Sequence, residues 1–325
     1  MIQRFALILL ACVSAAAAAQ AHSYPVRPIT ITVTAAPGGV TDVVGRAIGQ
    51  RLSQSWGQQV VIENKGGGAH VLGAASVAKA APDGYSLLLA EAGAFVINPT
   101  LYGKGKLPYD EEKDFVPITG LVRIHQALLG HPSVPAANVR ELVALARERP
   151  NELTYATAGI GSALHMNMVL FASMAGVKLQ PVHYRGAAPA LADVIAGHVN
   201  LMSLSVSAAL PPAQSGQVRI FGIGSPQRLA AAPDIPTVAE SGLPGYEASS
   251  WFGLFAPAGT PRDIVLKINK EITAILNDPA FGEKILAPQI FEPMASSPEA
   301  FADYIAAQKR KWSGLIREQH LSIEK

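Results

Sequence analysis

Cysteine is nearly absent: the 325-residue chain has one, Cys12. A disulfide framework and a cysteine-based zinc site are therefore excluded within one chain. Charge is scarce too, at 15% of residues, against a usual ~25%. It is also balanced, with a formal net charge of +2 and no long basic run. That excludes nucleic acid as the main partner. No apolar stretch reaches the ~20 residues of a membrane span. Catalytic signatures are missing as well. The chain has no G-x-x-x-x-G-K-[ST], no G-x-G-x-x-G after a strand, no H-E-x-x-H and no G-x-S-x-G. Its eight histidines never pair at i, i+3 or i+4, so no helical metal site is expected. What is abundant is core-forming material, with 49% hydrophobic residues. That excludes a disordered chain. At ~150 residues per domain, the length suggests two domains.

The first 21 residues read as a secretory signal. Arg4 is the charged region, Phe5 to Val13 the apolar one, and Ala19-Gln20-Ala21 a small-x-small cleavage site. The mature chain is expected to start near His22, without cysteine. A competing reading is a lipoprotein, because Leu9-Leu10-Ala11-Cys12 loosely matches a lipidation box.

After the signal, short apolar runs alternate with longer helical patterns. Ile29, Ile31 and Val33 alternate with threonines, as in a strand. Val44, Ala47, Ile48 and Leu52 then recur at helical spacing, and Gly57 closes that helix. Strands around 59–63 and 85–90 flank a helix over 71–79. This β-α-β-α-β order predicts a parallel sheet with helices on its faces. The pattern restarts with a helix over 140–149 capped by Asn138, and a strand over 153–157. A helix opened by Ser162 and closed by Gly176 follows. Further strands at 182–184, 199–204 and 218–224, with a helix over 189–196, complete a second α/β unit. The C-terminal part is helical, with starts at Thr260-Pro261 and Ser297-Pro298. Extended segments at 116–129 and 249–256 read as two crossings between the units. The chain thus leaves the first unit and later returns to it.

Two strand-to-helix turns are the best candidates for a site. Pro37-Gly38-Gly39-Val40-Thr41-Asp42 and Ala158-Gly159-Ile160-Gly161-Ser162 both put small residues at a helix start. A helix N-terminus carries roughly half a positive charge and free N–H groups, and so attracts anions. Open parallel sheets bind ligands at the C-terminal ends of their strands. One such turn per unit, facing across a cleft, is a binding site; either alone is simply a tight connection. Gly66-Gly67-Gly68 lacks the lysine-serine ending of a phosphate loop and reads as a flexible turn.

A set of short motifs then gives a resemblance. They are Tyr24-Pro-x-Arg-Pro28, Pro37-Gly-Gly-x-Thr-Asp42, Ala80-Ala-Pro-Asp-Gly-Tyr85 and Ile97-Asn-Pro99. They continue with His131-Pro-Ser-Val-Pro135, Gly186-Ala-Ala-Pro-Ala190 and Asp234-Ile-Pro-Thr-Val-Ala-Glu240. The last are Gly242-Leu-Pro-Gly-Tyr246 and Trp251-Phe-Gly-Leu-x-Ala-Pro-Ala-Gly-Thr-Pro261. Each is weak alone, but their order and spacing are specific. The chain resembles the substrate-binding proteins of tripartite tricarboxylate transporters, the Bug family of periplasmic receptors, over nearly its whole mature length. The resemblance implies an α/β type II periplasmic binding protein fold. Two doubly wound α/β lobes are joined by a two-crossover hinge, with a ligand cleft between them. Lobe one would be 22–123 plus 248–325, and lobe two 124–247.

It further implies a monomeric receptor that closes on a small organic carboxylate, needs no cofactor, and passes its ligand to a two-component membrane permease. Pro37, Gly38, Gly39, Thr41 and Asp42 would hold one carboxylate through backbone groups and waters, with Asp42 fixing the turn. Glu91, Gly93 and Ala94 would contribute from the loop at 90–95, and Ala158, Gly161, Ser162 and Ala163 from the second turn. Tyr184, Arg185, Gly186 and Ala187 would contribute from the next loop, and Ser203 and Ser205 from a strand end.

Three positions depart from the family pattern. Ala35 stands where an aromatic is frequent. The loop at 90–95 carries Glu91 and Phe95 where small hydroxylic residues are usual, and Leu204-Ser205 replaces an Asp-Asn pair. Glu91 has two readings: recognition of a ligand amine or hydroxyl, or a structural role, either paired with an arginine or lysine or exposed at the rim. A buried carboxylate needs a partner. Arg185 is either a fork for a distal carboxylate, or a surface arginine or partner for Glu91. His165, Trp251 and Phe252 read as structural. Two rival functions stay open. A sensory receptor would bind the same ligands but signal, and a secreted α/β enzyme would need a nucleophile–base pair that the sequence does not offer.

Overall fold

The computed structural model describes residues 24–67 and 70–323. The signal segment with Cys12, and Gly68 of the glycine run, lie outside the described residues. The first unit runs β1 (Ile29–Val33), α1 (Val40–Trp56), β2 (Val60–Asn64), α2 (Val71–Ala78) and β3 (Ser86–Glu91). β1 lies parallel to both β2 and β3. Ile29, Ile31 and Val33 are fully buried, and they share a core with Val44, Ile48 and Leu52 of α1. α1 ends at Gly57, whose φ of 64° turns the chain out while its N–H bonds the Ser53 carbonyl. That left-handed position suits glycine.

β3 runs into a π-helical turn, Gly93–Ile97, and then α3 (Asn98–Tyr102). The Asn98 N–H reaches the Gly93 carbonyl five residues back. Such turns cluster at functional sites. The chain then enters β4 (Phe115–Gly130), the first of the expected crossings and a single 16-residue strand.

The second unit contains α4 (Val139–Glu148), β5 (Thr154–Thr157), α5 (Ala163–Ala175) and β6 (Gln180–His183). α6 (Ala187–Ile195), β7 (Leu201–Ser205), α7 (Val206–Gln214) and β8 (Arg219–Ile223) complete it. β5 is parallel to β6 and β7. Asn138 caps α4 by accepting the Glu141 N–H, and Ser162 caps α5 by accepting the His165 N–H. Such side-chain caps contribute about 1 kcal/mol each. The chain returns through β9 (Ser249–Pro257) to α8 (Arg262–Leu276), α9 (Pro279–Phe281), β10 (Phe291–Pro293) and α10 (Pro298–Glu318).

The strand order is β2-β1-β3-β9-β4-β7-β5-β6, with β8 and β10 also pairing with β4. β4 changes neighbours part-way. Residues 115–125 pair antiparallel with β9, whereas Gln126 to Gly130 lie between β7 and β8. β9 bonds β3 on its other side. β4 and β9 therefore carry the chain out of the first unit and back, as the two extended segments predict.

Three elements differ from expectation. α7 holds Pro211 and Pro212 inside a helix, and prolines normally end a helical pattern. β10 is only three residues long and exists because β4 offers an edge. α8 begins one residue later than its motif suggests. Pro261 is extended at ψ 137°, and the Thr260 hydroxyl donates back to the Pro257 carbonyl instead of capping the helix.

Candidate functional site

A cavity of about 400 Å³ opens where the C-terminal ends of β3 and β5 approach each other. That is within the usual size range of a small-molecule site. From the first unit it is lined by His70, Glu91, Ala92, Gly93, Ile97 and Asn98. From the second come the turn at 158–163 and the first turns of α5, including Asn167. Ser249 and Ser250 of β9 and Trp312 of α10 complete the wall. The cavity thus takes residues from both units and from a crossing strand.

The β5–α5 turn is built to present donors. Gly159 N–H donates to the Thr157 hydroxyl, Gly161 N–H to His165 Nδ1, and the Ser162 side chain accepts from His165 N–H. Gly161 adopts φ 76°, and a Cβ there would lie 2.4 Å from Leu101 Cδ2 of α3. Only glycine fits this close approach of the two units. The N–H groups of Ala163 and Leu164 begin α5 and have no helical carbonyl behind them; both residues line the cavity. One turn further on, Asn167 is 1% exposed, and its Nδ2 has no hydrogen-bond partner among the described residues. A buried unpaired amide costs roughly 1–3 kcal/mol. This one lines a cavity that can supply its acceptor.

Two histidines support the turn from below. The His165 ring lies 6.3 Å from Tyr155 and 5.2 Å from His183, and His183 Nδ1 is 2.7 Å from the Thr157 hydroxyl. Burial first, and His183 second, push the His165 pKa down to about 4. It therefore stays neutral near pH 7 and keeps Nδ1 free to accept from Gly161.

Across the cavity, Glu91 Oε1 accepts the Ser250 hydroxyl at 3.0 Å, and Oε2 stands 3.4 Å from His70 Nε2. Its neighbours are thus a serine and a histidine, in place of the arginine or lysine of the structural reading. His70 Nδ1 lies 3.0 Å from the Thr34 carbonyl oxygen.

The turn at 37–42 is organised differently from the expectation. Asp42 is buried and accepts from Gly38 N–H, Arg46 Nε and Asn64 Nδ2. Burial opposes its charge, but these hydrogen bonds outweigh burial and hold its carboxyl below the ordinary range. Gly39 N–H donates to the Ala36 carbonyl. Two donors of the supposed anion cradle are therefore engaged inside the turn. Pro37, Gly38, Gly39, Thr41 and Asp42 do not line the cavity.

Of the other expected residues, the cavity gathers Glu91, Gly93, Ala158, Gly161, Ser162 and Ala163. Ala94 points its carbonyl at the Tyr109 hydroxyl. Tyr184 donates to Asp193 at 2.6 Å, and Arg185 is exposed, so neither forms a wall of the cavity. Gly186 and Ala187 start α6, Ser203 is buried in β7, and Ser205 precedes α7. His165 is structural, as read, and Trp251 and Phe252 are core residues of β9. Sequence reasoning missed His70, Asn98, Asn167 and Ser250. For Asn167 a signal existed: a lone amide within the apolar run Met166-Asn-Met-Val-Leu-Phe171. Among the described residues no cluster of three metal-ligating side chains occurs, and no helix is long and apolar enough to cross a membrane.

Comparison with known proteins gives a consistent result. Residues 44–321 match the family described as tripartite tricarboxylate transporter family receptor. A Pseudomonas sp. (strain P51) protein, named as the UPF0065 protein of the tcbD–tcbE intergenic region, is 36% identical over 310 residues. The match covers 95% of this chain and 91% of that one. Among solved structures, an R. palustris protein with adipate has a TM-score of 0.82 and 33% identity, covering 92% of this chain and 99% of that one. MatC from Rhodopseudomonas palustris, with bound malate, has a TM-score of 0.77 and 31% identity, covering 90% and 100%. The two-lobed periplasmic binding fold expected from the sequence is thus the fold of these neighbours.

Proposed function

The chain belongs to the tripartite tricarboxylate transporter receptor family, and from that premise we propose that it captures a small organic carboxylate between two lobes and delivers it to a membrane permease. Lobe one is residues 22–123 with 248–325, and lobe two is 124–247. The hinge lies where β4 changes partners, beside the Gln126 N–H to Ala248 carbonyl bond of 3.2 Å. Residues 1–21 direct export, so the mature monomer works in the periplasm.

The observation that carries this reading is the unpaired Asn167 amide beside the open N-terminus of α5. Together they are an acceptor-seeking pole, and a carboxylate supplies the acceptors. The solved relatives with adipate and with malate support the same ligand class. Ligand contacts from both lobes exist only when the lobes are together, so binding selects the closed state. The cleft binds without turning over its ligand. The family whose model the chain matches is one of receptors, which supports this reading, and the Ser250 hydroxyl is engaged with Glu91.

A thermal-shift screen of the mature protein with organic acids and neutral analogues tests the reading. A carboxylate at 100 times its Kd adds about 2.7 kcal/mol of stability. Shifts confined to carboxylates, with the acid recovered unchanged, support a receptor. Consumption of the acid, or shifts from neutral compounds alone, overturn it. Loss of uptake of the same acid on gene deletion tests delivery to a permease.

A further inference from the structure

The cavity has two unlike ends. At α5 the donors gather: the first N–H groups of the helix and the buried, unpaired Nδ2 of Asn167. At the end of β3 the acceptors gather. Among the described residues no lysine or arginine lines the cavity, and Glu91 is the one carboxylate that does.

The arrangement around Glu91 can be read atom by atom. His70 Nδ1 faces the Thr34 carbonyl at 3.0 Å. A carbonyl only accepts, so it assigns the proton of a neutral imidazole to Nδ1. In that neutral form Nε2 presents a lone pair, whereas a protonated ring presents a second N–H; either way Nε2 faces Glu91 Oε2 across 3.4 Å. With the ring neutral, two acceptors stand side by side at the cavity wall. Ser250 donates to the other carboxylate oxygen, leaving Oε2 directed at this gap. His70 is held here with its backbone at φ 76°, a conformation unusual for a residue with a side chain. Such strain persists where the surroundings impose it, and it clusters at ligand clamps.

We propose that the ligand is an aminocarboxylate, its carboxylate on the first turn of α5 and Asn167, and its ammonium group on Glu91 and His70. The proposal rests on the receptor reading above and narrows it. An ammonium carries enough hydrogens to bond both acceptors at once and a charge that compensates Glu91. A dicarboxylate would instead set a second anion against Glu91, and like charges in one site repel. Specificity then comes as much from rejecting dianions as from attracting the amine. Glu91 and His70 are the specificity-determining residues.

Calorimetric titration of the mature protein tests this. The probes are short α- and ω-aminocarboxylates, each beside the acid with methyl in place of ammonium and the dicarboxylate of equal length. An aminocarboxylate is expected to bind best. In Glu91→Gln its affinity falls at least about tenfold, as for a lost charge-assisted hydrogen bond, while the methyl analogue is unaffected. His70→Gln, which keeps the Glu91 charge, gives a smaller loss in the same direction and guards against a misfolded Glu91 variant. Dicarboxylates or plain acids binding as well as aminocarboxylates, with no change of preference in Glu91→Gln, overturn the proposal and leave the receptor standing. If no acid of any kind binds, the receptor reading falls with it.

Discussion

Acidification should weaken the fold through His165 by an amount that the structure sets. In the folded chain this imidazole is neutral, its Nδ1 accepting the Gly161 N–H at 3.2 Å. Protonation would place an N–H against an N–H and charge a ring packed on Tyr155 and His183. Its pKa is pushed down to about 4, from an unfolded value of 6.5. The sign follows directly. The unfolded chain takes up the proton first, so the contribution is fully present above pH 6.5 and is lost as pH falls toward 4. Between about pH 8 and pH 5, linkage gives a loss of about 2 kcal/mol. The assay is urea unfolding of the wild type and of His165→Gln at both pH values. Glutamine does not titrate, and its side-chain oxygen can accept from Gly161. The variant should lose about 2 kcal/mol less than the wild type on acidification. The carboxylates whose pKa values are lowered, Asp42 among them, act in both proteins and cancel in the difference. Equal acid losses in the two proteins would refute the account of how the β5–α5 turn is held.

Three further outcomes follow from the same geometry. Asn167→Leu keeps the side-chain volume but removes the amide, so carboxylate affinity by calorimetry should fall about tenfold, while the ligand-free protein keeps or gains thermal stability. Gly161→Ala forces a side chain into the left-handed region, at about 1–2 kcal/mol, and presses on Leu101; it should weaken ligand binding, and adding Leu101→Ala should restore only part of the affinity. Asp42→Asn removes the charge that holds Gly38 N–H and Arg46. It should lower stability by about 1–2 kcal/mol in chemical denaturation at neutral pH and show little further effect on acid-ligand affinity.

The elements that the sequence announces are those with local instructions. Asn138, Ser162 and Ser297 each accept a backbone N–H at a helix start, as their side chains allow. The alternation of Ile29, Ile31 and Val33 specifies a strand. The segments at 116–129 and 249–256 are rich in apolar residues and lack a helical period, and they form the crossings β4 and β9. β10 carries no such instruction, because three residues become a strand only when β4 lies beside them. The site behaves likewise. The β5–α5 turn is visible as small residues before a helix. His70, Ser250 and Asn167 come from segments far apart in sequence, and only the strand order puts them around one cavity. The turn at 37–42 looks from its glycines like the second anion site, but two of its donors, the Gly38 and Gly39 N–H groups, bond Asp42 and Ala36 within the turn, which a sequence does not display.

A crystal structure of the mature protein with the acid that gives the largest thermal shift would test the central claim most directly. The account predicts one bound molecule in the cavity between β3 and α5. One carboxylate oxygen would lie within hydrogen-bond distance of Asn167 Nδ2 and the N–H groups that open α5. An acid bound on the outer surface, or in the cleft with Asn167 still unpaired, would contradict it.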